Sequence, residues 1–342
     1  MLDDLAYIHR VDKSDSIGIA LKEPDQLLHD FKFNNLNINN VKNVVYVGMG
    51  GSALAANLSL SWPAYKVPFE IVKNYDLPEY VSSDTLCIFS SASGNTEETL
   101  SALSQAEHRL TNIAIFAGGG ELLSIAKYKN YVHVELPNAR QPRYGVFYNL
   151  KALVSLADQL GLTKEGLGLL NSAAEWIKQR SQQWGPTIPT KNNLAKQIAL
   201  DALGKSVVIY GGPNLYPVAY KWKVGFNENA KQVAWCSGYP EFNHNEFIGW
   251  SEQPVDKPYC VIDLRSKFEN ERVQKRFELS ERLLSGRRPA PIVIEAEGEN
   301  SLEQLLYCSM LGDFVSLYAA IAAGNDPEPV ELVEKFKHMM AN

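Results

Sequence analysis

A run of small and hydroxyl-bearing residues, 90–99 (SSASGNTEET), lies between an apolar segment and a segment of helical character. Ser91, Ser93 and Thr96 would ring the N-terminus of that helix, where backbone N–H groups and the helix dipole favour an anion. Neutral hydroxyls can hold a phosphate monoester without the cost of burying a charged side chain. Ordinary helix capping is the alternative, since Ser, Asn and Thr are favoured caps, although one cap needs only one hydroxyl.

A second small-residue turn, residues 48–53 (GMGGSA), also follows an apolar run and opens a helix. It satisfies G-x-G-x-x-A, the fingerprint of dinucleotide-binding turns, but such a turn accommodates any phosphate. The acid expected about 20 residues later is replaced by Lys73 and Asn74, and Asp76 comes slightly late. This pattern argues against NAD, while an NAD-dependent enzyme stays open as an alternative.

Both turns belong to a regular alternation of apolar runs and helical segments. Strand-like runs occur at 43–48, 69–72, 85–90, 112–118 and 131–136, and again at 206–213, 259–266 and 290–296. Continuous apolar strands between helices predict a parallel sheet covered on both faces. The two halves resemble a structural repeat, so we expect an α/β protein with two doubly wound parallel sheets.

The length of 342 residues suits two domains at roughly 150 residues each. Gly185, Pro186 and Pro189 break helix in a polar stretch, which predicts a linker there. We expect helices at 17–31, 302–323 and 330–340. The predicted division is an N-terminal helical segment at 1–34, a first domain at 35–160, a linker at 161–193 and a second domain with a C-terminal helix at 194–342.

Composition excludes several classes of protein. Lys and Arg total 33 against 39 Asp and Glu, a net charge of −6, whereas a general nucleic-acid binder is usually basic. The four cysteines form no C-x-x-C pair, which argues against a disulfide framework or a paired-thiolate zinc site and favours a reducing cytoplasm. The N-terminus lacks the basic and then apolar order of a signal peptide. Glu303, Gln304 and Asp313 interrupt the apolar stretch 302–323, so we expect a buried or amphipathic helix and no membrane partner.

The motifs GMGGSA and S-x-SGNTEET together resemble the sugar isomerase (SIS) domain. Gln141-Pro142-Arg143, NENAK at 227–231 and NHNE at 243–246 narrow the resemblance to the bifunctional phosphoglucose/phosphomannose isomerases, in the family's order along most of the chain. The resemblance implies two SIS domains, each a flavodoxin-like sheet. It also implies an aldose-ketose isomerase that interconverts glucose 6-phosphate or mannose 6-phosphate with fructose 6-phosphate through a cis-enediol, without cofactor or metal.

By this resemblance the sugar phosphate is held by a set of small and hydroxyl residues, Gly50, Ser52, Ser91, Ser93 and Thr96. The assignment agrees with the anion interpretation of the two turns. The resemblance places Arg143 near carbon 1 and carbon 2 of the open-chain sugar, where a fixed cation stabilises the enediolate. A solvated loop arginine is the alternative for Arg143.

Glu228 matches the family's catalytic base, which takes a proton from carbon 2 and returns it to carbon 1. Without the resemblance it would be interpreted as a surface helix residue. His244 matches a histidine that helps to open the sugar ring from the other subunit, which implies a homodimer, although a lone His is more often structural. The sequence His244-Asn245-Glu246 also matches the H-x-E of zinc deaminases, but no P-C-x-x-C follows, so we predict no metal site.

Lys337 aligns with the family's ring-opening lysine, and Lys335 is its near neighbour. By its offset from Lys337, Val330 occupies a position where relatives carry Thr, in dual-specificity enzymes, or Gln, in glucose-specific ones. Valine keeps the shape of threonine without the hydroxyl, so both aldose phosphates are expected to remain substrates. A non-catalytic sugar-phosphate sensor is the alternative function, since it would need only the phosphate-binding residues; Glu228, Arg143 and His244 speak against it.

Overall fold

The computed structural model describes residues 1–164, 166–252 and 258–340. The chain divides into two compact units. The first unit is Lys22–Trp176, and the second unit consists of Met1–Leu21 and Ile177–Asn342.

The helices and strands alternate along both units. The α-helices are α1 Leu5–Val11, α2 Ser16–Gln26, α3 Gly50–Ser59, α4 Glu97–His108, α5 Gly120–Tyr128, α6 Val146–Gln159, α7 Leu167–Ser181, α8 Leu194–Ala202, α9 Tyr216–Glu228, α10 Glu246–Gly249, α11 Glu271–Leu283, α12 Ser301–Ala322 and α13 Glu331–Met340. The strands are β1 Asn43–Gly48, β2 Phe69–Val72, β3 Thr85–Ser91, β4 Asn112–Ala117, β5 Val132–Glu135, β6 Ser206–Gly211, β7 Ala234–Gly238, β8 Tyr259–Arg265 and β9 Ile292–Glu295. Short 3₁₀ helices include Pro142–Gly145 and Glu241–His244.

The sheet of the first unit has the strand order β2-β1-β3-β4-β5, and all of its pairs are parallel. Its five strands coincide with the five apolar runs predicted in the first half. Alternate residues of β1 face opposite cores: Val44 and Tyr46 pack with α3 and α6, while Val45 and Val47 pack with α4 and α5. Because both faces are covered, the central strands β1, β3 and β4 are buried along almost their whole length.

The sheet of the second unit has the order β7-β6-β8-β9, again parallel. The predicted fold class of two doubly wound, flavodoxin-like parallel sheets is therefore confirmed. Strand β7 was not predicted. It lies at the edge of the sheet and half of the Trp235 side chain is exposed, so the segment lacks the continuous apolar run that marks the central strands.

Helix α12 packs against α8 and α9 within the second unit. It is long and apolar enough to cross a membrane, but 94% of its apolar window is buried inside the protein. The predicted buried helix at 302–323 is confirmed. Gly312 makes close packing possible, since a Cβ there would collide with the indole ring of Trp222. The indole nitrogen of Trp222 donates to the Cys308 carbonyl at 2.7 Å.

The N-terminal helix was predicted to extend from 17 to 31, but α2 ends at Gln26. Pro24 removes a backbone donor near the end of α2. The Gln26 side chain then bonds elsewhere in the first unit, to the Tyr144 carbonyl at 2.6 Å and the Tyr148 N–H at 3.1 Å. Residues 161–193, the predicted linker, contain α7, and the boundary between the two units falls within that helix.

Candidate active site

The turn between β1 and α3 is built from residues with small side chains or none. Gly50 has a φ of 49°, a left-handed conformation that glycine adopts most easily. A Cβ on Gly51 would lie 2.6 Å from the Pro142 carbonyl carbon and 2.7 Å from the Arg143 amide nitrogen, so α3 and that segment meet too closely for a side chain. Met49, at the N-cap, makes no side-chain capping bond. The Ser52 N–H donates to the Met49 carbonyl at 3.1 Å, but the Met49 side chain caps none of the first N–H groups of α3, as an anion site requires.

The loop between β3 and α4 presents three hydroxyls. Ser91 Oγ lies 2.8 Å from Thr96 Oγ1 and 3.4 Å from Ser93 Oγ. Ser91 Oγ also accepts from the Gly94 N–H at 3.0 Å, and Ser93 Oγ accepts from the Asn95 N–H at 3.2 Å. Thr96 is the N-cap of α4, yet its side chain makes no capping bond. Ordinary helix capping therefore does not account for Thr96.

Strands β1 and β3 are neighbours, so the turn and the loop lie side by side at the carboxyl-terminal end of the first sheet. Gly48 is in register with Ser90, and the Ala92 N–H donates to Ser52 Oγ at 3.2 Å. At this point the strand order reverses direction, which is where α/β sheets bind ligands. The structure thus brings together the residues predicted to hold phosphate, which we call the hydroxyl cradle: Gly50, Ser52, Ser91, Ser93 and Thr96.

Tyr46 supports the cradle from within the core. Its hydroxyl donates to the Ser52 carbonyl at 3.1 Å, which fixes the first turn of α3. Burial raises the pKa of Tyr46, so the hydroxyl stays protonated and remains a donor. The sequence offered no signal for this role, since a Tyr in a buried strand is an ordinary core residue.

Arg143 lies in the Pro142–Gly145 helix, against the N-terminus of α3. It is only 5% exposed, so the alternative of a solvated loop arginine is wrong. Its Nη1 donates to Gln141 Oε1 at 3.3 Å, and its guanidinium carbon lies 4.7 Å from the centre of the Tyr144 ring. Its backbone lies next to Gly51, and a guanidinium held in this way is a fixed positive charge, suited to stabilise a developing anion.

Glu228 is the last residue of α9, in the second unit, and is half-buried. The next residue, Asn229, is buried and donates to Ser316 Oγ of α12 at 3.0 Å. Burial raises the pKa of Tyr220 on the same helix, and Cys236 and Glu228 raise it further. The end of α9 is thus anchored to α12, which holds the backbone of Glu228 in place.

Lys231 connects the end of α9 to the segment before α13. Its Nζ donates to three backbone carbonyls, of Asn229 at 3.1 Å, Asp326 at 2.7 Å and Pro327 at 2.9 Å. In the sequence, Lys231 stands out only as part of NENAK. Its position inside that motif was the one available signal for a role.

Val330 and Lys337 lie in the C-terminal segment. Val330 is half-buried, and its carbonyl accepts from the Val333 N–H at 2.9 Å in the first turn of α13. All residues of α13 are exposed, and Lys337 pairs with Glu334 at 2.8 Å on the solvent side. An exposed pair of this kind contributes little stability and leaves the ammonium group able to move.

His244 ends the Glu241–His244 helix and is exposed. Its imidazole has no hydrogen bond within the part of the chain that the structure describes. Phe242, two residues earlier, is fully buried. The predicted site residues of the second unit therefore lie on three elements: the end of α9, the Glu241–His244 helix and the C-terminal segment.

Two other kinds of site, for a metal ion and for a dinucleotide, lack their characteristic residues. Within residues 1–164, 166–252 and 258–340, no group of three or more His, Cys, Asp or Glu side chains could hold a metal ion. After β2, where dinucleotide-binding turns carry an acid, Lys73 Nζ donates to Asn57 Oδ1 of α3 at 3.3 Å. The cradle therefore suits a phosphate monoester better than a dinucleotide.

Comparisons with known proteins identify the family of this chain. Residues 191–340 match the model of the bacterial phospho-glucose isomerase C-terminal SIS domain. A bifunctional phosphoglucose/phosphomannose isomerase of Aquifex aeolicus is 31% identical over 86% of this chain and 89% of its own length. The enzyme of the same name from Caldicellulosiruptor bescii is 31% identical over 90% of this chain and 92% of its own length.

Among solved structures, a glucose-6-phosphate isomerase like protein from Thermus thermophilus aligns with a TM-score of 0.65 at 20% identity. The alignment covers 97% of this chain and 99% of that chain, which supports the fold. The curated relatives show more than the fold, because they are 31% identical over most of this chain. Together they establish that this chain belongs to the bifunctional phosphoglucose/phosphomannose isomerase family.

Proposed function

We propose that this chain interconverts glucose 6-phosphate and mannose 6-phosphate with fructose 6-phosphate, using the residues described above. The chain is a sugar-phosphate isomerase, like the family to which it belongs. The observation that carries the proposal is the hydroxyl cradle, which presents four hydroxyls beside the N-termini of α3 and α4, with buried Arg143 against α3.

The cradle binds the phosphate of the substrate. Backbone N–H groups at the two helix N-termini and the hydroxyls of Ser91, Ser93 and Thr96 supply the donors. Because these donors are neutral, no charged side chain of the cradle has to be removed from water when the phosphate binds.

Glu228 transfers the proton. Its carboxylate removes the proton from carbon 2 of the open-chain aldose, and the electron pair moves toward the carbonyl oxygen at carbon 1 to give a cis-enediolate. The hydroxyl proton on the carbon 2 oxygen moves to the carbon 1 oxygen. Glu228 then returns its proton to carbon 1 as the carbonyl forms at carbon 2, which leaves the ketose. Arg143 stabilises the negative charge that develops on the oxygens of carbons 1 and 2.

His244 and Lys337 open the sugar ring before proton transfer, with His244 supplied by the second subunit of a homodimer. The exposure of His244, and the lack of a hydrogen bond to it within the described chain, support a target outside its own chain. The exposure of α13 supports a mobile Lys337. No cofactor, metal, nucleic acid or membrane takes part, and the cytoplasm is the compartment we propose.

The test of the proposal is Glu228→Gln. A general base contributes typically 10²–10⁴-fold, so we expect isomerisation to fall by at least about a hundredfold, while binding of the sugar phosphate stays nearly unchanged. The exposed Glu278→Gln in α11 is the matched control and should keep wild-type turnover. Glu228→Gln with more than about a tenth of the wild-type rate would refute the assignment. Loss of isomerisation in every preparation, wild type included, would support the sensor instead.

The dimer is tested by complementation. Inactive Glu228→Gln and His244→Ala chains, when mixed, should form some sites that contain both intact groups, and activity should return. A monomer in solution, or mixed dimers without recovered activity, would contradict a role for His244 across the interface.

A further inference from the structure

His244 is exposed, but the chain on both sides of it is anchored in the core of the second unit. Asn243 Nδ2 donates to Ser280 Oγ of α11 at 2.8 Å, and its Oδ1 accepts from Arg276 at 3.2 Å. Asn245 donates to Glu241 at 2.6 Å. The fold therefore fixes the residues next to His244 and leaves the imidazole itself directed to solvent.

On the N-terminal side, the anchor is aromatic. Phe242 packs on Tyr210 of β6, with ring centres 4.7 Å apart, and on Tyr239, with ring centres 5.0 Å apart. The guanidinium of Arg288, itself 4% exposed, lies 5.3 Å from the Tyr210 ring centre and 5.9 Å from those of Phe242 and Trp250. Its nitrogens have no hydrogen-bond partner among the described residues, so the rings and the electrostatic attraction of buried Asp263 hold this cation.

On the C-terminal side, the anchor is one hydroxyl. Tyr210 OH donates to the carboxylate of Glu246, two residues after His244, and accepts from the Trp250 indole N–H at 2.9 Å. Burial raises the pKa of Tyr210, so its hydroxyl stays protonated and available to Glu246. Tyr210 thus contacts both sides of the segment: its ring holds Phe242 and its hydroxyl holds Glu246 and Trp250.

We propose that Tyr210 and Glu246 are positioning residues that hold His244 in the orientation needed for ring opening. The proposal rests on the proposed function of His244. Neither residue touches the substrate; both act by limiting the movement of a backbone that carries an exposed imidazole. Loss of a hydrogen bond to a charged group, or displacement of a catalytic group by about 1 Å, can each lower a rate about tenfold or more. We therefore expect loss of the Tyr210 hydroxyl to slow ring opening on that scale.

The test measures ring opening by itself. Exchange between the α and β anomers of glucose 6-phosphate requires the ring to open and close but needs no proton transfer between carbons 1 and 2. Glu228→Gln, which blocks that proton transfer, therefore serves as the parent protein, and NMR follows the exchange. In this parent, Tyr210→Phe should slow anomer exchange about tenfold, and His244→Ala should slow it at least as much. With His244→Ala present, Tyr210→Phe should add less than about twofold, because a residue that acts through His244 has nothing left to position.

Controls separate positioning from folding. Tyr318→Phe removes a buried hydroxyl bond of the same unit, 2.7 Å to the Trp184 carbonyl, away from this segment, and should leave exchange unchanged. Glu246→Gln keeps an acceptor for Tyr210 and should resemble the parent, whereas Glu246→Ala should resemble Tyr210→Phe. These two variants carry the test if Tyr210→Phe does not fold.

The outcomes are distinguishable. If His244→Ala slows exchange and Tyr210→Phe does not, or if Tyr210→Phe slows it equally with and without His244, the positioning role is refuted and the proposed function stands. If His244→Ala leaves exchange unchanged, the ring-opening role of His244 is refuted, and the positioning role with it.

Discussion

The two sheets of this protein have the same strand order at their centre, but different side chains lie against the equivalent turns that follow the central strands. In the first unit, β1 and β3 are adjacent and lead into the open hydroxyl cradle. In the second unit, β6 and β8 are adjacent in the same way, but the loop after β8 supplies Glu269, which is 7% exposed. Its carboxylate accepts from the Asn214 N–H at 2.8 Å and interacts with that of Leu215, just before α9. The second unit fills its own anion site.

This difference separates what the fold supplies from what the side chains decide. Both turns offer backbone N–H groups where the strand order reverses. Hydroxyls in the neighbouring loop leave those groups available to a ligand, whereas a carboxylate there occupies them permanently. A Cβ on Gly212 would collide with Glu269 Oε1, so the carboxylate fits where the turn has no side chain. We therefore expect one phosphate site per chain, in the first unit.

The largest expected effect comes from giving the first unit the carboxylate of the second. Ser93 is exposed at the cradle, and Ser93→Asp would place a negative charge against the bound phosphate. Two like charges about 4 Å apart repel by about 4 kcal/mol at an effective dielectric constant of about 20. We expect the KM for glucose 6-phosphate to rise by at least about 100-fold. The neutral Ser93→Asn is the matched control in steady-state kinetics, and equal KM values for the two variants would show that Ser93 does not face the phosphate.

A smaller effect should come from adding one methyl group to each turn. At Gly51 it would collide with backbone atoms of Pro142 and Arg143, which cannot move aside cheaply; at Gly212 it would push the Glu269 side chain. Gly51→Ala should lower kcat/KM about tenfold or more because Arg143 is displaced. Gly212→Ala should cost about 1–3 kcal/mol of unfolding free energy with unchanged kinetics. Urea unfolding and steady-state kinetics on both variants test this. A loss of activity in Gly212→Ala but not in Gly51→Ala would contradict the prediction.

Glu269 itself should affect stability but not catalysis. Glu269→Ala leaves the Asn214 N–H without its acceptor, whereas the Leu215 N–H keeps the Gly212 carbonyl at 2.9 Å, and should cost about 1–3 kcal/mol. Glu269→Gln keeps an acceptor and does not titrate. Thermal unfolding at a series of pH values, with kcat/KM at neutral pH, measures both.

The pH dependence follows from burial, which raises the pKa of Glu269 above its ordinary value. The folded state then favours the protonated carboxyl more than the unfolded chain does. That stabilisation is complete below the unfolded pKa and is lost as the pH rises through the folded pKa. Glu269→Gln should therefore gain stability relative to wild type as the pH rises through this window. A gain that grows toward acid pH would contradict the assignment.

The smallest expected effect concerns Val330, which lies in neither turn. Val330→Thr restores a hydroxyl of nearly the same shape and should raise kcat on glucose and mannose 6-phosphate about twofold, without changing inhibition by inorganic phosphate. Val330→Gln should favour glucose 6-phosphate. If Val330→Gln instead changes kcat equally on the two substrates, Val330 does not line the sugar pocket.

Much of the fold was predictable, because a strand buried on both faces must be apolar along its whole length. Thus β1, β3 and β4 were found from the sequence, while β7, with Trp235 half-exposed at the sheet edge, was missed. Pro24 gave a signal for the end of α2, but the predicted helix extended past it to residue 31.

The chemical character of the cradle was determined by the sequence alone, since Gly50, Ser52 and the hydroxyls of residues 91–96 occupy local turns between a strand and a helix. Only the tertiary structure decided which turn stays open and what is held rigid. Glu269 reaches Asn214 across 55 residues of chain, and Tyr210 reaches Glu246 across 36. Such contacts depend on which strands become neighbours, and strand order is a property of the folded sheet that no local run of residues encodes.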